Sequence, residues 1–533
     1  MRRTDRAGGW GPAGGFHIAI VGAGISGICM GIQLKRAGIH NFTIYEKDPA
    51  LGGTWRDNTY PGCGGDVPSF LYAFSFESKH DWSRRFPSQR EILGYLHACV
   101  QKYGLKPHIS FGSQIISARF LASDGVWEIR SARGDEMRAN VLVSGCGQLN
   151  RPRYPHIDGL GAYRGACFHS ARWDHGHDLK GKRVAVIGSG ASAAQLVPEI
   201  AQKVARLSVF QRSPSWVVRR RDRTYKSSEL RWLRWLPIAR RLYRWLIYLE
   251  LESHWPAFSL GTRFAKRLGE VLAEDMRARV PDRALQRCLI PDYPVGCKRI
   301  LVSDDYLEAL QAKNVDVVTN PIARVTRGGI QTRDGKSRRF DTIILATGFE
   351  STRFLLDIEV EGKDERRLAD CWRDGAEAYL GVTVAGFPNF FMCYGPNTNL
   401  GHNSSLFMIE CQVRYIIRCI VALRKRRLRY LDVRADAVAD YNRALQRDMQ
   451  RRVWVANCTS SYKTDDGKVT NNWAYSSLYY WWKTKRPDFA KFLQVGFTEV
   501  DVSVPHVDLT KRPARPPRRV APGETETAAE VPP

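Results

Sequence analysis

Short, uniformly apolar runs recur along this chain, each ending at a glycine and followed by residues whose apolar positions repeat every three or four. This alternation predicts buried parallel strands that lead into helices. The first unit reads as a strand over 17–21, a helix to about Ala37 and a second strand over 42–45; the second as a strand over 182–187, a helix to about Val204 and a strand over 207–210. Between them, 93–103 has helical spacing, and 109–120 and 126–131 read as strands joined by a turn at Ser123-Asp124-Gly125. The run 141–143 reads as a buried strand ending in Gly145-Cys146-Gly147, with Pro152 and Pro155 marking the way out of a first domain. Later, 341–350 predicts a strand closing in Ala-Thr-Gly, and a helix is expected from about Ser404 to Lys425.

The glycines give these units chemistry. Gly22, Gly24 and Gly27 have the G-x-G-x-x-G spacing, in which the first glycine makes a tight turn, the second lets backbone approach a pyrophosphate and the third packs helix on strand, with Ser26 in the same turn. Glu46 ends the second strand, where an acid holds ribose hydroxyls, so an adenine dinucleotide is expected here. Gly188, Gly190 and Ala193 form a second such turn, enclosing Ser189, Ala191 and Ser192 and followed by Gln195. Its second strand ends in Gln211-Arg212-Ser213, with no acid. A guanidinium there suits a 2′-phosphate, which predicts NADPH over NADH. Two units in one chain are most economically explained by one bound flavin, FAD, and one diffusible nicotinamide.

A chain of 533 residues predicts two or three domains, and 44% hydrophobic with 25% charged residues is the make-up of a soluble globular protein. The net charge of +27 favours anions: nucleic acid, acidic lipid or phosphorylated cofactors. Without a zinc-finger spacing, a basic region with heptads or an RNA-binding signature, nucleic acid is not an expected partner. The twelve cysteines form no C-x-x-C pair, which argues for reduced thiols in a cytoplasmic protein and against a dithiol redox enzyme. No signal peptide and no membrane-spanning run is read.

The segment 228–291 is helical and rich in Arg and Trp. Trp232, Trp235, Leu236, Ala239, Tyr243 and Leu246 fall on one face with Arg234, Arg241 and Arg244 opposite, and Pro237 argues against one straight helix. Two readings stand: a membrane-surface helix over 231–249, or a subdomain packed over the active site. The aromatic stretch 456–482, with Cys458, Tyr462 and Trp473, is read as a mobile loop and substrate wall, or equally as core.

Tyr163 to Asp174, Y-R-G-A-C-F-H-S-A-R-W-D, lies between the two glycine turns and resembles the F-x-G-x-x-x-H-x-x-x-W-[PD] fingerprint of the flavin-dependent Baeyer–Villiger monooxygenases, with Tyr163 in place of Phe. Leu51 to Asp66, L-G-G-T-W-R-D-N-T-Y-P-G-C-G-G-D, resembles a second signature of that family and of flavin monooxygenases. Tyr293 to Leu301 resembles its segment with a Lys-Arg pair, and the matching signatures run from about His17 to Asp488. The resemblance implies that Thr54, Trp55, Asp66, Tyr72 and Ile115 lie along FAD. Lys298 would join Arg212 and Ser213 at the NADPH phosphate, Arg299 would reach the flavin, and Asp66 would orient Arg299. It implies NADPH reducing FAD, a flavin C4a-peroxide formed with O2, and insertion of oxygen beside a ketone carbonyl to give an ester or lactone. His169 and Trp173 would couple the position of the nucleotide domain to this chemistry.

The fold expected is α/β, with two Rossmann-like dinucleotide-binding domains and a helical insertion in the second. Its division is a flexible N-terminus 1–15, an FAD domain 16–150, an NADPH domain 151–227, the insertion 228–291, a second NADPH part 292–380, a return to the FAD domain 381–505 and a disordered tail 506–533. The chain is expected as a monomer or weak oligomer. Three other readings are a flavin monooxygenase oxidising nitrogen or sulfur, against which Trp173-Asp174 argues, a disulfide reductase, against which the lack of a close cysteine pair argues, and a non-catalytic nucleotide-binding or membrane-docked module.

Overall fold

Two five-stranded parallel sheets organise the chain in a computed structural model that describes residues 15–355 and 357–497. The expected flexible N-terminus, apart from Gly15, and the expected tail lie outside the described residues. In the first sheet the order is Phe390–Met392, Val141–Ser144, Ile18–Val21, Phe42–Tyr45, Ile109–Ser110. Ile18 pairs in register with Phe42 on one side and Val141 on the other. In the second the order is Val315–Val318, Arg206–Phe210, Arg183–Ile187, Thr342–Leu345, Ala166–His169.

Each sheet is covered by helices on one face and by a smaller β-sheet on the other, so the central strands are apolar throughout: Ile18, Ala19 and Ile20 in one and Val184, Ala185 and Val186 in the other are fully buried. The helix Ile25–Arg36 packs between the first sheet and the long helix Ser405–Lys425, so a late segment of the chain closes over an early one. A four-stranded sheet, Glu359–Glu361, Ile115–Leu121, Val126–Ser131 and Glu136–Ala139, lies against the first, through Phe120, Trp127 and Phe390.

The insertion forms helices Ser227–Trp235, Pro237–Glu252, Arg263–Arg279 and Arg283–Leu289. Pro237 opens the second of these, as its missing N–H allows at a first helical position. The expected division of faces is corrected. Arg244 lies inside and its Nη1 donates to the carbonyls of Phe70, Leu71 and Ala73, whereas Trp232 and Trp235 are 66% and 73% exposed. The helix is apolar on more than one side, so periodicity alone could not select the buried face. Over 456–482 core packing prevails: Trp473 and Tyr480 are fully buried among Met408, Leu445 and Trp454. No helix among the described residues is long and apolar enough to cross a membrane.

Candidate functional site

At the end of the strand Ile18–Val21, Gly22 takes φ +100°, and a side chain there would press on the Gly145 carbonyl at 3.0 Å. At Gly27 a Cβ would fall 1.9 Å from the Gly22 oxygen. Only hydrogen fits at either position. Gly24 begins the helix Ile25–Arg36 without a side-chain cap and with no acid in the first turn, and Ser26 is buried within that turn. Free N–H groups and the positive helix end therefore converge where an anionic pyrophosphate fits. Glu46, 4% exposed, accepts from the Ala23 N–H at 2.7 Å and the Asp48 N–H at 3.1 Å, which holds its carboxylate at the end of the strand Phe42–Tyr45.

The stretch after Leu51 lies across this turn. Gly53 approaches so closely that its Cβ would stand 3.3 Å from the Gly24 Cα. Thr54 Oγ1 donates to the Leu149 carbonyl at 3.3 Å, and Trp55 Nε1 donates to Tyr72 Oη at 3.1 Å with the two rings edge to face. Ile115 is buried beside Val21 and Ser144 at a small apolar cavity. Trp55 and Tyr72 are thus brought together, whereas Ile115 packs in a separate cluster with Tyr45 and Leu142.

The second turn repeats the design. Gly188 has φ +117°, and a Cβ would meet the Ala346 oxygen at 2.3 Å. Gly190 starts the helix Ala191–Ala201, again with no side-chain cap and no acid in the first turn, and no atom lies within 4 Å of the position of its Cβ. Ser189 donates to the Ser213 carbonyl at 3.4 Å, and Ala193 is fully buried against the sheet. Arg212 is exposed at the strand end, and Lys298 donates to Ser213 Oγ while its ammonium lies 4.6 Å above the Tyr293 ring. Burial and the charge of Arg212 push the Lys298 pKa down, with Asp292 acting in the opposite direction. Two cations held together against their own repulsion make a fitting seat for a phosphate.

The two turns meet at a seam. Tyr60 Oη donates to Gln195 Oε1 at 2.8 Å and Gln195 Nε2 donates to the Gly64 carbonyl at 3.0 Å. Ser192 lies beside the same phenol. A side chain at Gly62, whose φ is +78°, would stand 2.3 Å from the Gln195 carbonyl. The nucleotide helix thus rests directly on the loop that carries Asp66.

Asp66 and Arg299, 233 residues apart in sequence, form a hydrogen-bonded ion pair. The charge of Asp66 raises the Arg299 pKa above the ordinary guanidinium value against the cost of burial. Burial acts to raise Asp66, but the charge and hydrogen bond of Arg299, with help from Arg220, hold it below the usual carboxylate range. Both groups are ionised at neutral pH. Tyr72, Tyr394 and Tyr462 sense these charges, and burial pushes all three phenols up, so each keeps its proton. From sequence, Tyr394 is read only within the Tyr394-Gly395-Pro396-Asn397 return of the chain to the flavin domain, not as a site residue. Its only signal is the Tyr-Gly-Pro-Asn turn, where it takes φ +60° and its N–H donates to Gln412 at 2.7 Å.

His169 ends the edge strand of the second sheet, 1% exposed, with Nδ1 accepting from the Ala171 N–H at 3.1 Å. Burial pushes its pKa down to about 4, so the ring is neutral. Trp173 packs edge to face on Phe168, and the neighbouring His175 reaches Thr59 at 2.8 Å. The fingerprint therefore touches the loop of the first nucleotide unit without reaching the Asp66–Arg299 pair.

One expectation is overturned here. Cys297 and Cys458, 161 residues apart in sequence, are joined in a disulfide with Cα atoms 6.5 Å apart; the other ten cysteines are free. A rule based on closely spaced pairs is blind to a bridge created by tertiary proximity. The bridge ties the segment bearing Lys298 and Arg299 to the loop before Tyr462.

Comparison with known proteins agrees with this geometry. The family of pyridine nucleotide-disulphide oxidoreductases matches residues 19–231. A Baeyer-Villiger monooxygenase of Pseudomonas aeruginosa is 43% identical over 85% of this chain and 86% of its own, and one of Streptomyces coelicolor is 41% identical over 89% and 92%. Among solved structures, OTEMO in complex with FAD and NADP superposes with a TM-score of 0.82 at 26% identity, covering 91% of this chain and all of that one. Cyclohexanone monooxygenase from Rhodococcus sp. Phi1 bound to NADP+ gives 0.81 at 25% identity, covering 90% of this chain. With two uncapped glycine turns, a phosphate-sized pair of cations and relatives matched over almost their whole length, this chain belongs to the Baeyer–Villiger monooxygenases.

Proposed function

We propose that the protein is an FAD- and NADPH-dependent monooxygenase that inserts one oxygen atom of O2 beside the carbonyl of a small-molecule ketone, yielding an ester or lactone. The observation that carries this reading is the ionised Asp66–Arg299 pair among protonated tyrosines, beside a seam joining two dinucleotide turns. FAD would be held by Gly22, Gly24, Ser26 and Gly27 at its pyrophosphate, by Glu46 at its ribose, and along its length by Thr54, Trp55, Asp66, Tyr72 and Ile115. NADPH would be held by the turn Gly188 to Ala193 with Gln195, and at its 2′-phosphate by Arg212, Ser213 and Lys298. Together the cofactors supply hydride transfer and the activation of O2.

The chain's own contribution is electrostatic and positional. Arg299 carries a permanent, oriented positive charge where negative charge gathers on oxygen as the ketone is attacked, and such preorganised charge costs no rearrangement at the moment of reaction. Asp66 keeps the guanidinium aimed and, being ionised, acts as neither acid nor proton source. Tyr394 and Tyr462 stay protonated at Oη beside the same arginine, with the Tyr394 hydroxyl donating to Asn399 Oδ1. His169 and Trp173 position the second sheet against the first. In this reading 16–150 and 381–505 serve FAD, 151–227 and 292–380 serve NADPH and 228–291 is inserted, with the boundary before 381 moved earlier because Glu359–Glu361 pairs with Ile115–Leu121 on the FAD side. Ten free thiols favour a cytoplasmic setting, against which the Cys297–Cys458 bridge counts.

The test is product analysis by mass spectrometry from a mixed panel of ketones, with a sulfide alongside, using NADPH and isotopically labelled O2. One labelled oxygen atom in an ester or lactone is the expected result. Oxygenation of the sulfide with every ketone left intact would overturn it.

A further inference from the structure

The paired helices Ser227–Trp235 and Pro237–Glu252 carry more apolar surface than the protein covers. One side of the second helix, with Ile247 and Tyr248 each 3% exposed, is packed inside, where Tyr248 stacks near Phe407. Opposite it, Ile238, Leu242, Trp245 and Leu249 are 80%, 59%, 54% and 51% exposed. Their spacing of four, three and four residues places them in one stripe along the helix. Trp232 and Trp235 extend it onto the preceding helix. Single exposed apolar residues are ordinary, but a continuous stripe of this kind marks an interaction surface.

The charges around the stripe identify what covers it. Residues 231–249 contain five arginines and no acid. Arg231, Arg234 and Arg241 are exposed, and none of them has a salt bridge among the described residues. The flanking acids are already engaged: Glu229 with Arg223, Glu250 with Arg85, and Glu252 with His402, Asn403 and Ser477. Beyond Ser477, which also bonds Tyr248 at 2.7 Å, the helix Ser477–Lys483 presents Trp482, 60% exposed, next to Lys483. A second copy seated on this stripe through a two-fold axis would set unpaired arginines against unpaired arginines. An anionic bilayer instead accepts the apolar stripe among its acyl chains, the indoles at the headgroup level and the guanidiniums at its phosphates.

We propose that this helical pair docks the enzyme peripherally on a membrane surface rich in anionic phospholipid, with the helix Pro237–Glu252 lying in the plane of the headgroups. The stripe lies on the opposite side of the helix from the face packed on 70–73, so docking leaves the cofactor turns uncovered.

The test is co-sedimentation of the full-length, flavin-loaded protein with large vesicles of phosphatidylcholine, with and without phosphatidylglycerol, at low and high salt. Binding is expected to vesicles containing phosphatidylglycerol, weakly to phosphatidylcholine alone, and to fall with salt. Trp235→Ser with Ile238→Ser and Leu242→Ser is expected to weaken binding about tenfold or more. Arg234→Gln with Arg241→Gln is expected to weaken it about thirtyfold at low salt, since each cation near an anionic surface contributes about a fivefold factor. Flavin content and NADPH oxidation stay at the wild-type level in both variants, which reports that they fold. No binding to phosphatidylglycerol vesicles overturns the proposal, as does equal binding by wild type and the triple serine variant. A concentration-dependent dimer by light scattering that the serine variant abolishes overturns it in favour of a second copy of the chain.

Discussion

Replacing Arg299 by alanine removes the one guanidinium paired with Asp66 and leaves that carboxylate with Arg220 as a cationic neighbour. Two costs compete. The pair lies between a surface bridge and a buried one, so its loss costs about 1 to 3 kcal/mol of stability, too little to unfold the domain. Loss of a preorganised group aimed at developing charge costs about 3 to 4 kcal/mol at the transition state, or a factor of about 100 to 1,000 in turnover. The variant should therefore fold, bind flavin and fail at oxygenation. Anaerobic stopped-flow measurement of flavin bleaching by NADPH should give a rate within about threefold of wild type, because that step does not depend on the same charge. Ester formation should fall at least about a hundredfold, with NADPH oxidation diverted to hydrogen peroxide. Arg299→Lys keeps the charge but loses the planar fork facing Asp66, so it should recover only part of the activity. Undiminished ester formation by the alanine variant would refute this reasoning. So would equal loss of flavin reduction and product, which would place Arg299 in nicotinamide binding instead.

Arg212→Ala and Lys298→Ala should each lower kcat/KM for NADPH by about 10- to 100-fold, as expected for one charge-assisted bond to phosphate, while NADH changes less than about threefold; equal losses with both nucleotides would remove the assignment. Gly62→Ala should lower Tm by several degrees, because its methyl would overlap the Gln195 carbonyl at a position with φ +78°, and an unchanged Tm would mean that the seam yields. The folded pKa of His169, about 4, lies below the ordinary 6.5, so the unfolded chain takes up a proton the folded one refuses and stability falls as pH drops through that window. Asp432, pushed up to about 6 by burial, acts in the opposite direction, so thermal melts of wild type and His169→Gln are compared at matched pH. The variant should lose the His169 part of the slope, and parallel curves would contradict the buried neutral ring. Alkylation of the denatured, unreduced protein should label ten cysteines, rising to twelve after reduction, as counted by intact mass.

What could be read before the structure was local. Gly22, Gly27 and Gly188 are required by contacts within one turn and the strand beside it, so spacing along the chain reports them. Glu46 and Arg212 follow because strand length sets where the second strand ends. The Asp66–Arg299 pair came only through resemblance to a family, since nothing in the local sequence links residues 233 apart. Tyr394 escaped for the same reason: its role arises from a return of the chain, not from its neighbours. The buried face of 231–249 was misjudged because Arg244, a cation, satisfies three carbonyls inside while tryptophans lie outside, an inversion that hydrophobic patterning cannot anticipate. The bridge between Cys297 and Cys458 depends on where two distant loops meet.

The contact of Gln195 with Tyr60 and Gly64 means that the two glycine turns are not independent of each other. On the proposed assignment, redesign for a different nicotinamide is safest at Arg212, which is exposed at the end of its strand. Edits to the inner surface of the helix Ala191–Ala201 transmit to the loop carrying Asp66, so libraries aimed at cofactor preference that sample Gln195 will also select, unasked, for altered oxygenation.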